Sequence, residues 1–129
     1  AVAPKTGTEV VLLVEDEPMV LRLSKTLLER LGYTVLAASG PSEALRFAEQ
    51  QGGRVRLLIT DVVMPEMNGR DLADRLRSLY PHLKCLFLSG YFAGTNTLAD
   101  GLDDATHFLQ KPFSLNDLAV KVRAALEKT

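Results

Sequence analysis

The feature that most constrains this chain is a set of short, almost unbroken apolar runs, each finishing on a polar or acidic residue. Val10–Val14 is followed by Glu15 and Asp16, Val55–Thr60 by Asp61, and Cys85–Ser89 finishes on the hydroxyl of Ser89. An alternating run marks a strand with one wet face. An unbroken run of this length marks a strand covered on both faces, as in parallel sheets. Two further runs, Thr34–Ala38 and Thr106–Leu109, complete a set of five.

Helical patterns separate the runs. Pro18 to Leu31 places Leu21, Leu27, Leu28 and Leu31 at helical spacing and stops at Gly32. Pro41 to Gln51 opens with proline in the first turn and ends at Gly52–Gly53. Asn68 can cap a helix over Gly69–Leu79, which must end before Pro81. Ser114 and Asp117 form a capping box for a last helix, whose apolar stripe is Leu115, Leu118, Val122 and Leu126. The segment Phe92–Asp104 has little periodicity, and the expectation there is a short or mobile helix. Strand–helix alternation repeated five times predicts an α/β fold, a doubly wound five-stranded parallel sheet with right-handed crossovers and helices on both faces. In the flavodoxin-like strand order 2-1-3-4-5, the first and third strands are neighbours and ligands bind beyond the carboxyl ends of the strands.

Those carboxyl ends carry Glu15, Asp16, Asp61, Ser89 and Lys111. A carboxylate at the end of a buried strand is costly unless it meets a cation or a hydrogen-bond network. Three together raise one another's pKa values, and a divalent cation removes that penalty. Oxygen ligands without nearby His or Cys favour Mg²⁺ or Mn²⁺ over Zn²⁺. Mg²⁺ with one or two carboxylates calls for phosphate oxygens, while Lys111 and Ser89 supply a positive charge and a hydroxyl to a phosphoryl group on Asp61. Phosphoryl transfer needs little beyond such positioning and charge stabilisation.

Composition narrows the classes. The 129 residues fit one domain, with Ala1–Thr8 as a tail or linker and residues 9–129 as the folded unit. A net charge of −1 gives no basic field for nucleic acid. No apolar run is long enough to span a membrane, and one cysteine, Cys85, excludes an internal disulfide and suits a reducing cytosol. Cytoplasmic location is the expectation.

Four motifs in order, Leu13-Val14-Glu15-Asp16-Glu17-Pro18, Asp61-Val62-Val63-Met64-Pro65-Glu66-Met67-Asn68-Gly69, Leu88-Ser89-Gly90-Tyr91 and Phe108-Leu109-Gln110-Lys111-Pro112-Phe113, make the chain resemble the response-regulator receiver domain of two-component signalling. The resemblance runs from about Glu9 to the end. It implies that Asp61 accepts a phosphoryl group from a histidine kinase or histidine phosphotransfer domain. It also implies that Asp16, Asp61 and the backbone carbonyl of Val63 bind Mg²⁺, with Glu15 acting through a coordinated water. The family's first acid is more often Asp, so Glu15 reaches one methylene further. Ser89 and Lys111 are expected on the phosphoryl oxygens, a cis peptide at Lys111–Pro112, and a switch in which Ser89 moves inward and Phe108 follows it. Val63 and Tyr91, both bulky and neither acidic nor amide-bearing, border the path of an attacking water and imply slow loss of the phosphoryl group. The stretch from Ser89 to Lys111 looks most like receivers fused to hybrid sensor histidine kinases, or a single-domain regulator. The face around the last strand and last helix is the family's usual dimer or partner surface, which leaves room for a weak homodimer.

Three other functions compete. An aspartyl-nucleophile phosphatase needs a second Asp two residues after the nucleophile, where Val63 stands. A flavin carrier needs a hydroxyl-rich loop after the first strand, where Glu15, Asp16 and Glu17 would repel phosphate. A phosphorylation-independent interaction module would not need the full set of acids, serine and lysine. Cys85 reads as a buried small hydrophobe, His82 as a solvated loop residue and His107 as a strand residue without metal-binding companions.

Overall fold

A computed structural model describes residues 6–90 and 108–127. The elements run β1 (Val10–Val14), α1 (Pro18–Arg30), β2 (Thr34–Ala38), α2 (Pro41–Gln51), a 3₁₀ turn (Gly52–Arg54), β3 (Val55–Asp61), α3 (Gly69–Leu79), β4 (Lys84–Ser89), β5 (Phe108–Gln110) and α4 (Leu115–Glu127). The strands form one parallel sheet in the order β2-β1-β3-β4-β5. The expected Thr106–Leu109 strand is described only from Phe108, where it extends to Gln110. The expected helix in Phe92–Asp104 lies outside the described residues.

Both sheet faces are buried, as the unbroken apolar runs require. Val11 and Leu13 of β1, Leu57 and Ile59 of β3, and Leu86 and Leu88 of β4 pack against Leu28 of α1 and Leu118 and Val122 of α4. The alternate residues Leu12, Val14, Leu58, Cys85 and Phe87 face Ala44 and Ala48 of α2 and Leu72 and Leu76 of α3. Period-two alternation of side chains thus sorts each strand's residues between two cores. Cys85 is buried, and burial pushes its thiol up to about 11, consistent with a packing role.

Helix boundaries follow local chemistry. The Asn68 side chain accepts the Asp71 backbone N–H at 2.8 Å, capping α3. Ser114 Oγ accepts the Asp117 N–H at 3.0 Å while an Asp117 carboxylate oxygen accepts the Ser114 N–H at 3.1 Å. Gly32, with φ of 100°, supplies the left-handed residue after α1. Arg123 of α4 donates to both carboxylate oxygens of Glu9 at 3.0 Å and so ties the entry to β1 to the last helix. These contacts leave the carboxyl ends of β1, β3, β4 and β5 side by side.

Candidate functional site

The ladder positions each polar residue. Val14 pairs with Thr60, Asp61 with Leu88 and Ser89 with Gln110, so Glu15, Asp61, Ser89 and Lys111 leave adjacent strands at one edge. Backbone bonds continue past the strands. The Val62 N–H donates to Leu88 O at 3.0 Å, and the Lys111 N–H to Ser89 O at 2.8 Å. Lys111 is therefore delivered to the site by its own backbone as well as by its side chain. The Lys111–Pro112 peptide is cis.

Glu15, Asp16 and Asp61 converge, each offering one carboxylate oxygen within 4.8 Å of the others. Asp16 is exposed, whereas Glu15 and Asp61 are buried. Lys111 bridges the buried pair. Its Nζ lies 2.9 Å from Asp61 Oδ1 and 3.0 Å from Glu15 Oε1. The lysine is thus lodged between two acids.

The two buried carboxylates differ in what surrounds them. Glu15 Oε2 accepts the Glu17 N–H at 3.0 Å, so both of its oxygens are engaged. Asp61 Oδ2 is buried and has no hydrogen-bond partner among the described residues. Burial, then the adjoining Glu15 carboxyl, push Asp61 up to about 8; the Lys111 ammonium offsets only part of this. Burial also opposes the charge on Glu15, but its hydrogen bonds outweigh that and hold it below the usual range. Burial disfavours charged Lys111 too, and the bonds to Asp61 and Glu15 reverse the effect and raise it. Of the two acids, Asp61 is the one left under-satisfied when ionised. A buried, orphaned carboxylate oxygen beside an exposed aspartate is the donor set a hard divalent cation fits.

Behind the site, α3 starts directly under the end of β3. The Gly69 N–H donates to Val62 O at 2.7 Å, and a Cβ at Gly69 would overlap the Asp61 carbonyl oxygen. Buried Thr60 donates its hydroxyl to the same carbonyl at 3.1 Å. In the sequence Gly69 shows only as the first helical residue after the capping Asn68, and the close approach to Asp61 is what requires a glycine there.

The remaining expected residues are placed as follows. Ser89 is buried at the end of β4. Phe108 is half-buried on β5, its ring centroid 6.0 Å from that of Phe87. Val63 is exposed, in the loop after Asp61. Tyr91 and His107 lie outside the described residues, and His82 is exposed.

The chain matches the family model described as Response regulator receiver domain over residues 11–123. It is 43% identical over 123 residues to Sensor kinase CckA of Brucella abortus, covering 95% of this chain but 13% of that protein. It is 36% identical over 117 residues to Response regulator receiver protein CpdR of the same organism, covering 90% of this chain and 95% of that one. The crystal structure of the receiver domain from Hybrid Histidine Kinase CckA superposes with a TM-score of 0.74 at 33% identity, covering 92% of this chain and 99% of that one.

Proposed function

Since the chain belongs to the response regulator receiver domain family, we propose that Asp61 is the residue on which it takes up a phosphoryl group within a two-component system. The single observation behind this is the geometry at Asp61, with Oδ1 on Lys111 at 2.9 Å and Oδ2 buried and unpartnered. One oxygen has its counter-charge and the other is left open.

Asp16 and Asp61, with the Val63 carbonyl, would hold Mg²⁺. Bound there, Mg²⁺ supplies charge neutralisation to the phosphoryl oxygens and favours the ionised form of Asp61. The chain's own groups do the rest. An oxygen of Asp61 forms a bond to phosphorus as the P–N bond of a phosphohistidine breaks, and the bonding pair leaves with the imidazole. Lys111 follows the negative charge from the Asp61 carboxylate to a phosphoryl oxygen, and Ser89 offers its hydroxyl to another. Phe108, packed on Phe87 beside Ser89, is the side chain that refills space as Ser89 moves.

The donor is a histidine kinase or phosphotransfer domain. The likeness to Sensor kinase CckA supports a receiver carried by a hybrid kinase, with residues 9–129 forming the receiver and 1–8 leading into it. No helix among the described residues is long and apolar enough to cross a membrane, and we place the domain in the cytoplasm.

Acetyl phosphate with Mg²⁺ tests the reading by intact mass. Wild type gains one phosphoryl adduct and Asp61→Asn gains none. A wild type without adduct, or an adduct surviving in Asp61→Asn, overturns it.

A further inference from the structure

We propose that residues 6–9 form a strap that couples the polypeptide leading into β1 to the last helix, through a latch between Glu9 and Arg123. The latch lies away from the acceptor site and works whether or not Asp61 takes a phosphoryl group.

In sequence, residues 1–8 have the small, polar composition of a tail. The end of that stretch is nevertheless seated on the fold. The Gly7 N–H donates to Leu31 O at 3.0 Å, just beyond α1, and Glu9 O accepts the Thr34 N–H at 3.1 Å, at the start of β2. Between them the Thr8 N–H donates to Glu9 Oε1 at 3.1 Å. The seat is cut to glycine. A Cβ at Gly7 would strike Arg123 Nη1, Glu9 Oε1 and a ring carbon of Tyr33, and a Cβ at Gly32 would strike Gly7 O. Gly32 also has φ of 100°, which glycine adopts without strain. Backbone crosses backbone here with no room for a side chain on either.

Arg123 closes the latch. Its Nη1 donates to both Glu9 carboxylate oxygens at 3.0 Å and to the Tyr33 hydroxyl at 3.4 Å, and its Nε to Glu127 at 3.2 Å. Glu127 holds the guanidinium from the helix side and Glu9 from the strap side, against buried Tyr33. Exposed ion pairs hold little. This one leaves 15% of the Arg123 side chain and 25% of the Glu9 side chain exposed, and the strap's backbone bonds back it.

The last helix makes the latch a relay. α4 starts at Leu115, shortly after Lys111, and packs on the sheet through Leu118 and Val122. Arg123 lies roughly two turns further on, about 12 Å along the axis at 1.5 Å per residue. A packed helix shifts as a body. Displacement of α4 therefore reaches Glu9, and by reciprocity a pull on the leading polypeptide reaches α4.

The test uses the full chain and amide exchange followed by NMR. Arg123→Gln is expected to speed exchange at Gly7 and Thr8 at least about tenfold, while Leu12 and Leu13 of β1 change less than about twofold. Gly7→Ala, which forces Arg123 and Glu9 apart, speeds exchange at residues 122–125 of α4 at least about threefold. Adding Glu9→Gln to Arg123→Gln changes strap exchange less than about twofold further, as expected for two residues acting as one unit. Wild type supplies a check that needs no variant: backbone order parameters at Gly7 and Thr8 of about 0.85 rather than below about 0.6. Strap exchange unmoved in Arg123→Gln, α4 exchange unmoved in Gly7→Ala, additive effects in the double variant, or tail-like order parameters in wild type overturns the proposal. So does exchange that speeds equally in β1 and the strap, which marks a general loss of stability instead of a latch.

Discussion

Gly69 stands against the carbonyl oxygen of Asp61 with no room for a single added carbon. Its N–H is committed to Val62 O at 2.7 Å, so it cannot back away without breaking the turn that joins β3 to α3. Gly69→Ala should therefore destabilise the domain by about 1–3 kcal/mol, the usual scale of overpacking, despite alanine's better helix propensity. Urea unfolding measures it, and an unchanged midpoint would refute the steric role.

Stability should respond to pH through Asp61 in the direction opposite to an ordinary paired aspartate. Its folded carboxyl is pushed up to about 8 by burial first and then by Glu15. Between about pH 4, where the unfolded carboxyl titrates, and about pH 8, the folded state holds a proton that the unfolded state has released. The stability linked to that proton is full at the acid end and lost as pH rises toward 8. Glu15 acts the other way, its share being present above its ordinary range and lost in stronger acid. Thermal melts without Mg²⁺ should show Tm falling from mildly acidic to mildly alkaline pH, with a flatter profile in Asp61→Asn.

Added Mg²⁺ should reverse that alkaline loss. A ligand bound only by the folded state stabilises it by about 2.7 kcal/mol at one hundred times its Kd. The Tm gain should be largest near pH 8, vanish with EDTA, and be lost in Asp16→Asn and Asp61→Asn. Equal gains in wild type and Asp61→Asn would place the cation elsewhere.

Val63 is exposed beside the acceptor and offers nothing to orient a water. Val63→Asn should shorten the life of the Asp61 adduct severalfold after excess acetyl phosphate is removed. An unchanged decay, followed by intact mass, would show that Val63 does not guard the phosphoryl group.

Ser24 in α1 has a buried hydroxyl with no partner among the described residues. Ser24→Ala removes an unsatisfied polar atom at little cost in volume and improves helix propensity. The expected change is neutral to about 1 kcal/mol more stable. A clear destabilisation would mean the hydroxyl has a partner.

Much of this was legible in the chain because the signals are local. The Val10–Val14 run is β1 residue for residue, Pro41 and Gly52 bound α2, and Asn68 and the Ser114–Asp117 pair mark the starts of α3 and α4. Alternation announces the doubly wound parallel sheet, and the flavodoxin-like order expected for it is the one found, which brings Glu15, Asp16, Asp61 and Lys111 together. Three things were not legible. β3 extends through Asp61, and β4 begins at Lys84, since a polar end residue can pair in the ladder without joining the apolar run. The lodging of Lys111 on Glu15 depends on the Glu17 N–H turning Glu15 inward, a backbone contact no spacing announces. The tightness of Gly69 against Asp61 is a three-dimensional distance that a glycine in a turn leaves open.

Lys111 bridges two acids that lie 96 and 50 positions before it in the chain, Glu15 and Asp61. The charge balance of the two buried acids is therefore completed by the residue that follows β5, the last strand in the chain and an edge of the sheet. Without Lys111 the buried Glu15 and Asp61 carboxylates would face each other without the ammonium that now lies between them.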